Sequence, residues 1–112
     1  MSDAILGACG KGDIGIYFRD DEKENEGIDS KKILKFALEV AGKSNLKLNN
    51  IDIVVVADKP KLSPSYDTIL KFIAGECGIS NTDVSVKSKT TEGTLVGKNS
   101  IACFTVVLMK EQ

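Results

Sequence analysis

The chain has no histidine and no tryptophan, only two prolines, and 5% aromatic residues in 112 positions. The missing histidine excludes a Ser-His-Asp triad, a Cys-His pair and an imidazole-ligated zinc centre built from these residues. A general acid or base must then be a carboxylate, a lysine, a tyrosine or a thiol. Excess charge of either sign is also lacking. Fifteen Lys and Arg against sixteen Asp and Glu leave a net charge of −1, so there is no basic footprint for nucleic acid. Long apolar runs are absent too. The longest, Ile101 to Met109, is too short to span a bilayer, and no charged-then-apolar leader opens the sequence. The cysteines Cys9, Cys77 and Cys103 are few, odd in number and far apart. A disulfide framework or zinc knuckle is not expected of them, and reduced thiols in a cytoplasmic protein are.

What is present is ordinary globular material, with 42% hydrophobic and 28% charged residues, expected to form one domain over residues 1–112. Ser2 to Ala8 reads as the end of a helix, followed by a glycine-rich turn from Gly10 to Gly15. Asp20 to Glu26 is an acidic loop. Asp29 or Ser30 caps a helix with apolar positions Ile33, Leu34, Ala37, Leu38, Val40 and Ala41, and Gly42 is placed to stop it. Asn49-Asn50 reads as a turn. The β-branched run within Ile51 to Ala57 predicts an interior strand covered on both faces. Ser63-Pro64 is a cap-plus-N1 signature for a helix presenting Tyr66, Ile69, Leu70, Ile73 and Cys77, with Gly78 at its end. Val84 and Val86 alternate with polar residues, predicting a strand with one wet face. Lys89 to Ser100 reads as a loop, and Ile101 to Met109 as a final strand. Three strands and two clear helices make an α+β layer structure. Its exposed edges and very apolar last strand favour association.

Several segments carry candidate chemistry. Gly10-Lys11-Gly12-Asp13-Ile14-Gly15 matches G-x-G-x-x-G, but a dinucleotide fingerprint needs a strand before it and a helix after it. The spacing reads better as a tight turn, with Asp13 either forming that turn or accepting sugar hydroxyls. Asp20, Asp21 and Glu22 can bind a hard cation or simply be solvated. Asp58-Lys59-Pro60-Lys61 follows a buried strand, where ligand edges occur in α/β layers. Lys87-Ser88-Lys89-Thr90-Thr91-Glu92 is a second such strand end. Its hydroxyls, lysines and carboxylate suit phosphate plus a metal.

Taken in order, these strings resemble the 2-C-methyl-D-erythritol 2,4-cyclodiphosphate synthase family. The resemblance is carried by Asp3-Ala4-Ile5-Leu6-Gly7-Ala8 running into Gly12-Asp13-Ile14-Gly15, and by Ile51 to Ala57 followed by Lys59-Pro60-Lys61-Leu62. It continues in Val84-Ser85-Val86-Lys87 leading to Thr90-Thr91-Glu92, and in Gly97 through Ile101-Ala102-Cys103. It implies a two-layer α+β sandwich, a mixed sheet with helices on one face, and a homotrimer whose sites mix residues of two subunits. It implies a lyase of the non-mevalonate isoprenoid pathway that cyclises a cytidine-diphospho-methylerythritol 2-phosphate and releases CMP. Residue by residue, Asp13, Ile14 and Gly15 match the ribose-binding turn. Phe18, Asp20 and Glu22 match a substrate-side loop, in which Phe18-Arg19-Asp20-Asp21-Glu22 stands for the family's Phe-Pro-Asp-Thr-Asp. Ala57, Asp58, Lys59, Pro60, Lys61, Leu62 and Ser63 match the cytosine cradle. Thr90 and Thr91 match phosphate-side catalytic hydroxyls, Glu92 a ligand of Mg²⁺ or Mn²⁺, and Lys98 a substrate-side positive charge.

The departures carry expectations of their own. The family's Asp-x-His strand and His-Ser-Asp-Gly-Asp segment are not in this sequence, so the family's zinc site is expected to be absent and turnover impaired. After Glu92, Gly93 to Lys98 is shorter than the family's Lys-Leu-Gly-Phe-Thr-Gly-Arg. Ser88-Lys89 replaces a usual Ala-Thr pair. Two alternatives stand beside an active synthase: a degenerate, non-catalytic trimer that binds cytidine nucleotides, and a chain whose missing strands come from another polypeptide.

Overall fold

The computed structural model describes residues 1–19, 29–59, 61–92 and 100–112. Within them the order is α1 (Ser2–Ala8), α2 (Ile14–Tyr17), α3 (Ser30–Lys43), β1 (Leu46–Val56), α4 (Tyr66–Cys77), β2 (Val84–Lys89) and β3 (Ala102–Glu111). Short 3-10 turns at Ser63–Ser65 and Asn81–Asp83 precede α4 and β2. The three strands form a sheet in the order β2-β1-β3. The chain divides into two compact units, residues 1–49 with 107–112, and residues 50–106.

The first unit is built on α1 against α3. Its core is Ile5, Leu6, Leu34, Ala37, Ala41 and Leu48, all buried. The α3 members fall at helical spacing, which is why that segment folds as an amphipathic helix. Asp29 caps α3, its carboxylate accepting the Lys31 N–H at 2.9 Å. Gln112, beyond β3, donates its N–H to the Asn45 carbonyl at 3.1 Å and its side-chain amide to Leu46 O at 3.1 Å. The end of β3 thus lies beside the start of β1, and the two strands run antiparallel.

In the second unit β1 and β2 are parallel, in register from Ile51 opposite Val84 to Val56 opposite Lys89. A parallel pair needs a crossover, and α4 supplies it by packing on β2. The core is Ile51, Ile53, Ala57, Ala74, Val84 and Val86. Tyr66, at the head of α4, hydrogen-bonds Ser88 of β2. Gly78 ends α4 in the left-handed region, at φ 66°, as its position after Cys77 predicted.

Local readings fail where pairing or helix continuity overrides them. Gly42 does not stop α3. The helix runs through it to Lys43, and the left-handed residue is Asn45, at φ 61°. A glycine inside a helix is tolerated at modest cost, and asparagine accepts the left-handed region more readily than most residues. A methyl group at Gly42 would meet only the Gln112 side chain, at an ordinary 3.7 Å. Gly42→Ala is therefore expected to stabilise the protein by about 0.5 kcal/mol in urea titration.

Asn49-Asn50 is not a turn but lies inside β1, because ladder hydrogen bonds outweigh the turn preference of asparagine. Ser63 opens a 3-10 turn with Pro64 inside it, and α4 begins only at Tyr66 with no side-chain cap. The glycine turn ends earlier than expected, since Ile14–Tyr17 forms one helical turn capped by Asp13. Lys89 belongs to β2, Ile101 precedes β3, and Ala57 follows β1. β1 is the central strand, as its apolar run predicted, but only one face is closed. Ile51 and Ile53 are buried, whereas Val54 and Val56 are half-buried. On β3, Phe104, Val106 and Leu108 are each more than half exposed.

Candidate functional site

The C-terminal ends of the parallel strands β1 and β2 are joined by three hydrogen bonds. Ala57 N–H donates to the Lys89 carbonyl at 2.9 Å, extending the ladder one step beyond Val56. The next residue, Asp58, accepts the Thr91 N–H on one carboxylate oxygen at 2.9 Å and the Thr91 hydroxyl on the other at 2.8 Å. Thr91 is 2% exposed, while its neighbours Thr90 and Glu92 are exposed. Two segments that sequence alone marked separately, Ala57 to Ser63 and Thr90 to Glu92, thus meet at one sheet edge. The edge after the carboxyl ends of parallel strands is where open α/β sheets bind ligands. Lys59, Lys61 and Ser63 are exposed there, Leu62 is half-buried, and Ala57 is buried. Pro60 and Lys98 lie outside the described residues.

Glu92 stands in the left-handed region at φ 50°. A side chain other than glycine pays about 1–2 kcal/mol there, so the surroundings must hold it. Its exposed carboxylate is the candidate metal ligand. Among the described residues no three His, Cys, Asp or Glu side chains gather to hold an ion. A carboxylate is an oxygen donor of the kind that hard divalent cations take.

The first unit carries the Asp13 turn. Asp13 caps α2, its carboxylate accepting the Ile16 N–H at 3.2 Å, and Asp3 of α1 accepts the Ile14 N–H at 2.8 Å. A Cβ at Gly15 would sit 3.1 Å from an Asp13 carboxylate oxygen, a tight contact that would make that carboxylate give by a few tenths of an ångström. Tyr17 donates its hydroxyl to the Lys11 carbonyl at 2.8 Å. Tyr17 and Phe18 pack on Phe36 of α3, with ring centroids 5.0 and 5.1 Å apart. Phe36 anchors the turn and was missed because its position lies off the apolar stripe of α3. Ile14 and Phe18 are half-buried, Asp13 and Gly15 exposed. Asp20 and Glu22 lie outside the described residues.

Other features point away from chemistry. An open pocket of about 200 Å³ lies between Asn50, Asp52, Thr82 and Ser85, at the opposite end of the β1-β2 pair, and collects none of the candidate residues. Burial pushes the Cys9 thiol up, partly offset by Lys11, and burial together with Glu76 pushes the Cys77 thiol up. Raised thiols are poor nucleophiles at neutral pH. Among the described residues no helix is long and apolar enough to cross a membrane.

This architecture recurs in solved cyclodiphosphate synthases. A 2C-methyl-D-erythritol-2,4-cyclodiphosphate synthase solved in a CDP-bound form superposes with a TM-score of 0.89 at 28% identity, over 97% of this chain and 71% of that one. The bifunctional IspDF of Campylobacter jejuni superposes at 0.91 with 33% identity, over 99% of this chain and 31% of that larger one. The fold and the strand-end edge therefore define an α+β protein of cyclodiphosphate-synthase type. A synthase of the same name from Pelotomaculum thermopropionicum is 44% identical over 111 residues, 97% of this chain and 68% of the relative. One from Shewanella halifaxensis is 39% identical over 97% of this chain and 70% of its own length. The YgbB family model matches residues 1–110, and the chain belongs to that family, with the 2-C-methyl-D-erythritol 2,4-cyclodiphosphate synthases.

Proposed function

We propose that this chain is a 2-C-methyl-D-erythritol 2,4-cyclodiphosphate synthase, a lyase of isoprenoid biosynthesis. It closes a cytidine-diphospho-methylerythritol 2-phosphate into the cyclic diphosphate and releases CMP. The observation that carries the reading is the join of the 57–63 and 89–92 segments at the carboxyl ends of two parallel strands.

In this reading the 2-phosphate oxygen attacks the β-phosphorus and CMP leaves, so catalysis is positioning and charge stabilisation. Ala57, Lys59, Pro60, Lys61, Leu62 and Ser63 cradle the cytidine end. The Asp13-Ile14-Gly15 turn receives the ribose, with Phe18, Asp20 and Glu22 on the substrate side. Thr90 presents its hydroxyl to the phosphates, Lys98 adds positive charge, and Glu92 holds Mg²⁺ or Mn²⁺. When bound, such an ion neutralises charge on the diphosphate. The free thiols accord with the reducing cytoplasm.

The working form is a homotrimer. The apolar face of β3, with Phe104 63% and Val106 70% exposed, is the surface a second copy covers. Phe104→Glu with Val106→Glu is expected to leave a monomer in size-exclusion chromatography with light scattering. A trimer persisting in that variant places the interface elsewhere.

The activity test incubates the protein with the substrate and Mg²⁺, Mn²⁺ or Zn²⁺ and follows CMP by chromatography and phosphorus NMR. CMP together with the cyclic diphosphate supports the synthase. CDP binding with no CMP release would instead establish a non-catalytic nucleotide-binding module.

A further inference from the structure

We infer that Asp58 is a positioning residue acting through Thr91, not a contact of the substrate. The inference rests on the reading above for what the 90–92 turn holds, but its geometric core stands apart from it.

The β1-β2 ladder ends where Ala57 N–H meets the Lys89 carbonyl. Beyond that point nothing in a regular sheet dictates the path of the chain after β2. Asp58 takes over the task. One carboxylate oxygen accepts the Thr91 N–H and the other accepts the Thr91 hydroxyl. Two bonds to the backbone and side chain of one residue fix orientation as well as position, and a charged acceptor makes both strong. Thr91 is drawn inward and buried, and Thr90 and Glu92 on either side are turned outward. Glu92 follows directly at φ 50°, a conformation that is costly for an L-residue and that the clamp on Thr91 helps to hold.

Two consequences separate the strand-end residues. Thr91 spends its hydroxyl proton on Asp58, so it does not offer that proton to a phosphate, and Thr90 is left as the phosphate-side hydroxyl. Asp58 carries a negative charge at an edge assigned to a diphosphate, where a carboxylate facing the ligand would repel it. Turned onto Thr91, both of its oxygens face donors of the protein instead.

Asp58 therefore matters for the clamp it forms on Thr91 rather than for a charge presented to the ligand. Asparagine reproduces the clamp, because its oxygen accepts the Thr91 N–H and its amide donates to the hydroxyl after that hydroxyl rotates. Alanine cannot.

The test compares wild type, Asp58→Ala and Asp58→Asn by amide hydrogen exchange at Thr91 and Glu92 and by calorimetric titration with CDP in Mg²⁺. Asp58→Ala is expected to lose at least about tenfold in Thr91 amide protection and about tenfold in CDP affinity. Asp58→Asn is expected to restore both to within about threefold of wild type. Asp58→Asn binding as weakly as Asp58→Ala would overturn the inference, since the charge itself would then be what the ligand reads. Unchanged exchange in Asp58→Ala would overturn it as well. Should Asp58→Ala fail to fold, Asp58→Asn decides alone, by keeping or losing Thr91 protection and affinity. Should wild type not bind CDP, the functional reading fails, and the exchange comparison still decides the role of Asp58.

Discussion

Glu92→Gly is expected to make the protein more stable and to cost it its divalent-cation dependence. The two effects have separate physical origins. Glu92 stands at φ 50°, where its Cβ is crowded and glycine is not. Relieving that strain contributes up to about 1–2 kcal/mol, and the larger chain entropy of glycine when unfolded takes back about half of it. A gain of about 0.5–1 kcal/mol in urea titration is the expected net result. The same substitution deletes the one carboxylate assigned to the cation. In the proposed reaction catalysis is charge stabilisation on a transferring phosphoryl group, so losing that ligand is expected to lower turnover about a hundredfold or more. It also removes the enhancement of CDP affinity by Mg²⁺. Glu92→Gln separates the two effects, since it keeps the strain and loses the charge. A Glu92→Gly protein that is less stable than wild type, or that still responds to Mg²⁺ as wild type does, contradicts this assignment.

The largest stability loss is expected at Ile51. Its side chain is 1% exposed, on the central strand and opposite Val84 in the parallel ladder. Ile51→Ala removes buried methylene and methyl groups and leaves a cavity that a strand paired on both sides cannot close. The expected cost is about 3–4 kcal/mol. Against a total stability of about 5–15 kcal/mol for a domain of this size, that is a large share. Calorimetry should register it as a fall in Tm of about 10 °C or more. Ile51→Val should cost only about 1 kcal/mol. A near-neutral Ile51→Ala would mean that the β1-β2 layer is not where the core sits.

The fold was legible where local chemistry and global packing agree. Val54-Val55-Val56 marked the central strand, the alternation of Val84 and Val86 marked β2, and Asp29 and Gly78 bounded helices as their capping chemistry requires. It was not legible where a tertiary partner overrides a local preference. Gly42 and Asn49-Asn50 carry stop and turn signals, yet they lie inside α3 and β1. Helix continuation and strand pairing are decided by contacts that no short window contains. The site divides in the same way. Residue types and order marked both strand ends and the Asp13 turn as ligand edges, and the motifs taken together pointed to the family. The clamp itself was invisible. Asp58 and Thr91 are 33 positions apart, and a bond at that separation leaves no periodicity. The burial of Thr91 and the left-handed backbone of Glu92 lie beside that bond, so a reading from spacing alone treats Thr90 and Thr91 as equivalent hydroxyls.

The most direct test of the central claim, that the nucleotide lies on the carboxyl-terminal edge of β1 and β2, is a backbone NMR titration with CDP in the presence of Mg²⁺. Saturable shifts concentrated at residues 57–62 and 89–92 and at the Asp13–Gly15 turn, with none at the Asn50–Ser85 pocket on the opposite end of the strands, are the predicted result. Saturable binding that moves the Asn50–Ser85 pocket and leaves residues 57–62 and 89–92 unshifted, or no binding at millimolar CDP, would contradict it.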